Sequence, residues 1–345
     1  MSYHFFTDPE YAGPHHSAIV AFWDRKPRLL REIPRKSMPE YHFPNSNTAS
    51  FVQIATKDAA PEISRFFNMF YKGDDWTFNC NFSDVEHWIK SGFIIIIKFE
   101  DEIVGTFVCR NLEHVICGKP HSQSALLEGL VVHPQFRKTG LASFLLASMD
   151  YIVYNTPHLR TSILFWFREH DSHLSALSQL PLCVLKYSYI NIKKIVKRSL
   201  NINKITSEHA SKIVTSIAEN NSDVFTLICT RSDPNVYWCL VNGSLIGIAN
   251  THRNTHTGAP IWEVVFAANI SKPYFVDLLD AIEQSALMLP SVNGILFISN
   301  SKSRGNTVPA YPWVSGSSGF LTTHIYNWMP PHFLTGDILF PLSCI

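Results

Sequence analysis

Neither sign of charge dominates this chain of 345 residues: Lys+Arg 29 against Asp+Glu 28 leaves a formal net charge of +1. There is no overall field to draw a nucleic acid or an anionic membrane onto it, so any polyanion has to be held locally. Cysteine is sparse and scattered, at Cys80, Cys109, Cys117, Cys183, Cys229, Cys239 and Cys344, an odd set with no Cys-x-x-Cys pair. That spacing argues against a disulfide framework and a zinc knuckle, and predicts free thiols in a reducing compartment. Long apolar runs are missing as well. Residues 1–12 hold no signal core, and the densest run, residues 93–97, is far too short to cross a bilayer. The expectation is a soluble, cytoplasmic, monomeric protein with no integral membrane contact and no nucleic-acid partner.

What is present is apolar surface, 46% of residues with 13% aromatic. At this length a single core is stretched, and two units sharing an interface are expected. The chain is organised around residues 125–146. Leu127, Leu130, Val131 and Val132 read as a buried strand that breaks at His133-Pro134, since proline cannot continue a ladder. Arg137, Lys138, Thr139 and Gly140 follow. Leu141, Ala142, Phe144, Leu145 and Leu146 then have the spacing of a helix on a sheet.

Strand, basic glycine-containing turn and helix together suit an anion. Glycine lets backbone approach a ligand, and the first N–H groups of a helix point outward along a favourable dipole. A pyrophosphate would sit on such a turn. An ordinary surface turn with two solvated bases would have the same composition.

In order along the chain, residues 1–50 carry Pro9, Pro14, Pro27, Pro34, Pro39 and Pro44 and read as an extended arm, with Phe22-Trp23 as its anchor. From Phe51 a strand leads to a helix over residues 57–71 with Pro61 in its first turn. Ser83-Asp84-Val85-Glu86 reads as a capping box opening a short helix that Gly92 closes. A hairpin spans residues 93–99 and 103–110, a loop follows, then the central element with its helix to about Tyr154, and a strand at residues 161–167.

This order recurs. Residues 203–206 lead to a helix over 207–219, residues 236–241 and 245–250 form a second hairpin, and residues 261–268, 274–289 and 295–299 repeat strand, helix and strand. The recurrence differs at the turn, where Asn269-Ile270-Ser271-Lys272-Pro273 has no glycine and one base. One half is therefore built for the anion, and the other shapes an acceptor site or supports the first.

Arg137-Lys138-Thr139-Gly140-Leu141-Ala142 resembles the Arg-x-x-Gly-x-Ala turn of the GNAT acyltransferase superfamily. Three stretches further resemble the N-myristoyltransferase family: Phe22-Trp23-Asp24-Arg25-Lys26-Pro27 in the arm, Leu130-Val131-Val132-His133 with Arg137 and Leu141-Ala142, and Gly319-Phe320-Leu321 followed by Tyr326-Asn327-Trp328. The resemblance implies an α/β fold of two GNAT-like units in tandem, mixed central sheets flanked by helices, and an extended N-terminal arm. It divides the chain into an arm (1–50), an acyl-CoA-binding half (51–190) and a second half with acceptor site and C-terminal tail (191–345).

The activity it implies is transfer of myristate from myristoyl-CoA to the N-terminal glycine of a protein or peptide, without metal. Phe22, Trp23, Val131, Val132, Arg137, Lys138, Thr139, Gly140, Leu141 and Ala142 would hold the acyl-CoA. The backbone amides of Gly129 and Leu130 would polarise the thioester carbonyl, and the terminal carboxylate of Ile345 would take the amine proton. Preorganised donors and a base suffice for acyl transfer without a covalent enzyme intermediate.

The chain departs from the family in its acidic loop, here Tyr71-Lys72-Gly73-Asp74-Asp75, in Gly140 where the family carries a base, and in residues 168–181, which have no match. Two alternatives stay open: a tandem-GNAT acetyltransferase using acetyl-CoA with Glu128 as base, and a non-catalytic binding protein. His170-Asp171-Ser172-His173 lacks a third metal ligand and reads as a polar loop, and Lys193, Lys194, Lys197 and Arg198 as a solvated linker.

Overall fold

The computed structural model describes residues 28–29, 37–73, 76–116, 119–157, 159, 163–169, 179–191, 202–219, 225–229, 236–241, 243–269, 285–286, 288–289, 294–300, 319–326, 328–329 and 338–339. In chain order, β1 (Gln53–Ile54) precedes α1 (Ala60–Phe70), β2 (Trp76–Phe78) and α2 (Phe82–Ser91). Next come β3 (Gly92–Phe99), β4 (Glu102–Ile116), β5 (Lys119–Val132), α3 (Leu141–Asn155), β6 (Ile163–Glu169) and β7 (Gln179–Asn191). The second half has β8 (Ile202–Ile205), α4 (Ser207–Glu219), β9 (Phe225–Cys229), β10 (Val236–Val241), β11 (Ser244–Thr255), β12 (Pro260–Asn269), β13 (Gly294–Asn300), β14 (Gly319–Tyr326) and β15 (Ile338–Leu339).

The helices form where the sequence carries an apolar period and a start signal. In α1, Pro61 sits in the first turn and Ala60, Ile63, Phe66 and Phe67 face inward. The capping box of α2 lies two residues upstream of its expected place. Asn81 Oδ1 accepts from Asp84 N at 3.1 Å while Asp84 Oδ2 accepts from Asn81 N at 2.9 Å, and the Ser83 hydroxyl is itself bonded to Asn81. The stretch expected as a loop after Arg110 is strand instead. Its polar residues conceal a ladder whose partner, β9, comes from the second half, Phe225↔Ile116 through Cys229↔Leu112.

These 15 strands join one mixed sheet in the order β8-β10-β11-β12-β13-β7-β14-β6-β5-β4-β9-β15, with β3 beside β4, β1 beside β3 and β2 beside β11, while the two-residue strands Arg28–Leu29, Tyr41–His42, Ala49–Ser50 and Trp328–Met329 pair outside it. Two clusters flank the first unit. Leu141, Phe144, Leu145, Leu146 and Met149 of α3 pack on one face with Phe107, Cys109 and Leu127. Ile63, Phe67, Val85 and Trp88 of α1 and α2 pack on the other with Ile94, Ile96 and Val108. The end of the stretch expected as an extended arm belongs to this core instead, with Tyr41 and Phe43 buried against Phe144 and Phe136.

The expected recurrence extends to backbone detail. The β4–β5 register shifts between Thr106↔Val131 and Val108↔Glu128, and β11–β12 shifts between Gly247↔Phe266 and Ile248↔Val264. Each places an extra residue on the second strand, a β-bulge. Both following parallel ladders are short, Ser124↔Ile163 to Leu127↔Trp166 and Trp262↔Ile295 to Val264↔Phe297.

The two units also trade strands. β7 pairs with β13 from Leu185↔Asn300 to Asn191↔Gly294, and β14 returns to pair with β6 from Leu321↔Glu169 to Tyr326↔Leu164. β7 and β14 are paired with each other at the centre. A second seam joins β2 to β11, where Asn79 N donates to His252 O at 2.7 Å and His252 Nδ1 lies 3.5 Å from Asp84 Oδ2. Arg253 stacks over Trp76, 4.7 Å from the ring centroid.

Beyond this seam Glu263, on β12, is 2% exposed. Burial pushes its carboxyl up from 4.5 to about 8, with the Arg253 charge acting in the opposite direction. The folded chain thus keeps a proton there that the unfolded chain releases near its ordinary value. Stability contributed by this site is full below about pH 4.5 and lost as pH rises to about 8.

Two outcomes follow. Thermal unfolding followed between pH 5 and pH 8 should show Glu263→Gln losing less stability than the parent, the difference growing by up to ~1.4 kcal/mol per pH unit. Because β6 is completed by β14, a fragment of residues 1–190 expressed alone should lack a cooperative unfolding transition and regain one when residues 191–345 are co-expressed.

Candidate active site

The parallel ladder of β5 and β6 stops at Leu127↔Trp166, yet β5 runs on to Val132 and β6 to Glu169. The strands part, leaving a wedge with main chain on both walls. The cause lies at Gly129, which takes φ +60° at the bulge, a left-handed conformation that favours glycine. A Cβ there would also come within 3.0 Å of Val108 Cγ2 and 3.1 Å of Phe67 Cζ. Glycine is needed here for both backbone and space.

Beyond the wedge, His133 begins a 3₁₀ turn over Pro134–Phe136, its Nδ1 accepting from Gln135 N and its ring 4.5 Å from that of Phe70. Lys138 (φ +65°) and Gly140 (φ +86°) are both left-handed, and Gly140 leads directly into α3. Phe144 N donates to Gly140 O at 3.0 Å, so the first helical N–H groups, at Leu141, Ala142 and Ser143, precede the intrahelical ladder; no side chain caps them. A Cβ on Gly140 would meet nothing within 4 Å. Its surroundings are open for a ligand.

The expected site residues divide by role. Arg137, Lys138, Thr139 and Gly140 are exposed around the turn, and Arg137 Nε is held by Val132 O at 3.2 Å. Val131 and Leu141 bury their side chains, at 3% and 1% exposure, so only their main chain can face a ligand. Ala142 and Val132 are half-buried. Gly129 and Leu130 form the bulge at the mouth of the wedge. Phe22, Trp23 and Ile345 lie outside the described residues, as do His170-Asp171-Ser172-His173, Lys193, Lys194, Lys197 and Arg198, Asp74-Asp75, the turn at 270–273, and most of the expected helix over 274–289.

Sequence reasoning missed two contributors. Tyr41 Oη lies 2.6 Å from Thr139 Oγ1 and donates to Thr139 O at 3.4 Å, while Thr139 Oγ1 bonds Phe136 O at 2.6 Å. This pins the turn to the body from beneath. Arg110, closing an otherwise apolar strand segment, forms a buried ion pair with Glu128. A base on one strand and an acid on its neighbour, both among apolar residues, was a readable signal. The pairing commits the Glu128 carboxylate to a guanidinium beside the wedge, which weakens its case as a proton acceptor. Cys109, next to this pair, has its thiol pushed well up by burial and the Glu128 charge, and burial pushes Cys80 up to about 12. Neither is a thiolate nucleophile at neutral pH. Among the described residues no cluster of His, Cys, Asp and Glu could hold a metal ion.

Residues 61–170, which contain the wedge, bulge and turn, match the acetyltransferase (GNAT) family. The first unit is thus similar to a GNAT unit and has the acyltransferase fold of that family. Over most of its length the chain has the fold of N-myristoyltransferase, with a GNAT-like first unit. It superposes on Saccharomyces cerevisiae N-myristoyltransferase with bound myristoyl-CoA at TM-score 0.63, covering 88% of this chain and 89% of that one at 11% identity. A second yeast N-myristoyltransferase structure, with myristoyl-CoA and inhibitors, gives 0.61, with 88% and 86% covered at 11% identity. A GCN5-related N-acetyltransferase from Kribbella flavida gives 0.50, with 80% and 71% covered at 10% identity. No curated protein sequence matches the chain.

If the turn holds a phosphate by its main chain, a side chain at Gly140 should block it. Gly140→Val should weaken CoA binding roughly 10-fold or more by calorimetry, through lost anion contacts and a strained left-handed residue, with the cooperative unfolding transition retained.

Proposed function

We propose that this protein transfers a long acyl group, myristate, from CoA to the N-terminal amine of a protein or peptide, with glycine as the acceptor residue. The observation that carries the reading is the continuity of bulge, wedge and left-handed turn, from Gly129 to Gly140, within a two-unit fold like that of N-myristoyltransferase. The first half, residues 51–190, holds the donor. In this reading the arm (1–50) contacts the donor through Phe22 and Trp23, and residues 191–345 supply the acceptor site and tail. The protein acts as a cytoplasmic monomer, and among the described residues no helix is long and apolar enough to cross a membrane.

In this reading the CoA phosphates lie on Arg137, Lys138, Thr139 and the N–H groups at Gly140, Leu141 and Ala142, and pantetheine runs along the open edge of Val131 and Val132. The thioester enters the wedge with its oxygen toward the amides of Gly129 and Leu130. The amine nitrogen attacks the carbonyl carbon, the electron pair moves onto the oxygen, and the terminal carboxylate of Ile345 takes the amine proton. Collapse of the adduct breaks the C–S bond and releases the CoA thiolate, which is then protonated. Donors fixed on the developing oxyanion are worth ~10²–10³ in rate.

A second reading, a short-chain acetyltransferase, draws on the GNAT match. It would use Glu128 as base, against which stands the ion pair with Arg110.

The deciding experiment pairs binding and turnover with myristoyl-CoA and acetyl-CoA, using N-terminal glycine peptides. It compares the parent with a variant extended past Ile345, which displaces the carboxylate. Myristoyl transfer impaired by the extension is expected. Preference for acetyl-CoA, with activity lost in Glu128→Gln and kept on extension, would replace this reading with the second, whereas binding without transfer would leave a non-catalytic protein.

A further inference from the structure

Thr106 is fully buried on β4, between Gly105 and Phe107 and opposite Val131. Valine would fill the same volume, and a buried hydroxyl is costly unless it is bonded. This hydroxyl donates to the Gly129 carbonyl at 3.3 Å. The peptide unit between Gly129 and Leu130 is planar, with C=O and N–H on opposite sides. A carbonyl turned toward β4 therefore sends the Leu130 N–H away from β4, to the side where β5 has parted from β6.

The flanking peptides agree with this alternation. His133 N donates to Val104 O of β4 at 2.9 Å, and Val132 O, on the other side of that peptide, accepts from Arg137. Counting back two residues along an extended strand puts the Leu130 N–H on the same outward side as Val132 O. Holding the bulge matters because glycine there has the widest conformational freedom. Without an anchor on its carbonyl the Gly129–Leu130 peptide could flip, and the amide would leave the wedge.

We infer that Thr106 is a positioning residue for acyl transfer: its hydroxyl fixes the Gly129–Leu130 peptide so that the Leu130 N–H is presented to the thioester oxygen. The inference rests on the acyl-transfer reading and names a residue outside the turn that holds CoA. Its consequence is a separation of effects. Thr106 acts on the carbonyl and not on the phosphates, so its loss should spare donor affinity and remove polarisation of the donor.

The test is infrared difference spectroscopy of myristoyl-CoA carrying ¹³C at the thioester carbonyl, bound to the full chain, with affinity measured in parallel by calorimetry. The parent should shift the carbonyl band to lower frequency on binding. Thr106→Val should return the band toward its position in water, with affinity changed less than roughly 3-fold and turnover lowered roughly 10-fold or more. Thr106→Ser, which keeps the hydroxyl, should restore both band and rate, and this separates positioning from packing. A band shift that persists in Thr106→Val, or a serine variant no better than valine, would overturn the inference alone. Failure of the parent to bind myristoyl-CoA would overturn the myristoyl-transfer reading and, with it, the inference as stated for that donor.

Discussion

The parting of two parallel strands after Leu127 is the constraint on which the rest of this structure depends. A parallel pair normally continues until one strand ends, because each lost rung leaves main-chain donors and acceptors to find other partners. Here both strands go on, and the loss is tolerable because β5 keeps β4 on its other side and β6 keeps β14. The bulge at Gly129 supplies the bend that separates them. The wedge is thus a product of ladders that hold each strand from outside, and packing by α1, α2 and α3 keeps its walls in place.

Charge enters the site sparingly. A near-neutral chain cannot gather a polyphosphate by long-range attraction, so under the proposed function recognition would fall to short-range geometry: two left-handed residues, a helix start and two exposed bases. Tyr41 and Thr139 tie that turn to the aromatic cluster beneath it. The Arg110–Glu128 pair sits under the bulge on the strand side. Its burial makes both partners costly to remove singly, since each would leave an uncompensated charge.

Much of this was legible in the sequence where local pattern and tertiary role coincide. The strand ending at His133, the turn at Arg137 to Gly140 and the helix from Leu141 appear as read, and the described strands of the second unit and its α4 over Ser207–Glu219 repeat those of the first. Where local pattern was silent, the reading stopped. The extension of β4 and β5 past Arg110 has no apolar alternation and exists because β9 arrives from a hundred residues downstream. β7 fell where the two units were expected to join, and nothing in its composition says that it will serve the second unit's sheet. Thr106 was passed over because a threonine in a strand is ordinary. Its significance depends on a carbonyl across the ladder that only the bulge brings within reach.

The exchange of β7 and β14 has a consequence in time as well as in space. The strand that completes the wall of the first wedge lies at residues 319–326, so on the ribosome that wall stays incomplete until these residues, about 150 after β6, have emerged. Until then β6 presents an unpaired edge, the kind of surface on which nascent chains aggregate. Contacts so distant in sequence also slow the search for the native pairing. Shielding of that edge during synthesis therefore becomes as much a part of making the site as the residues that line it.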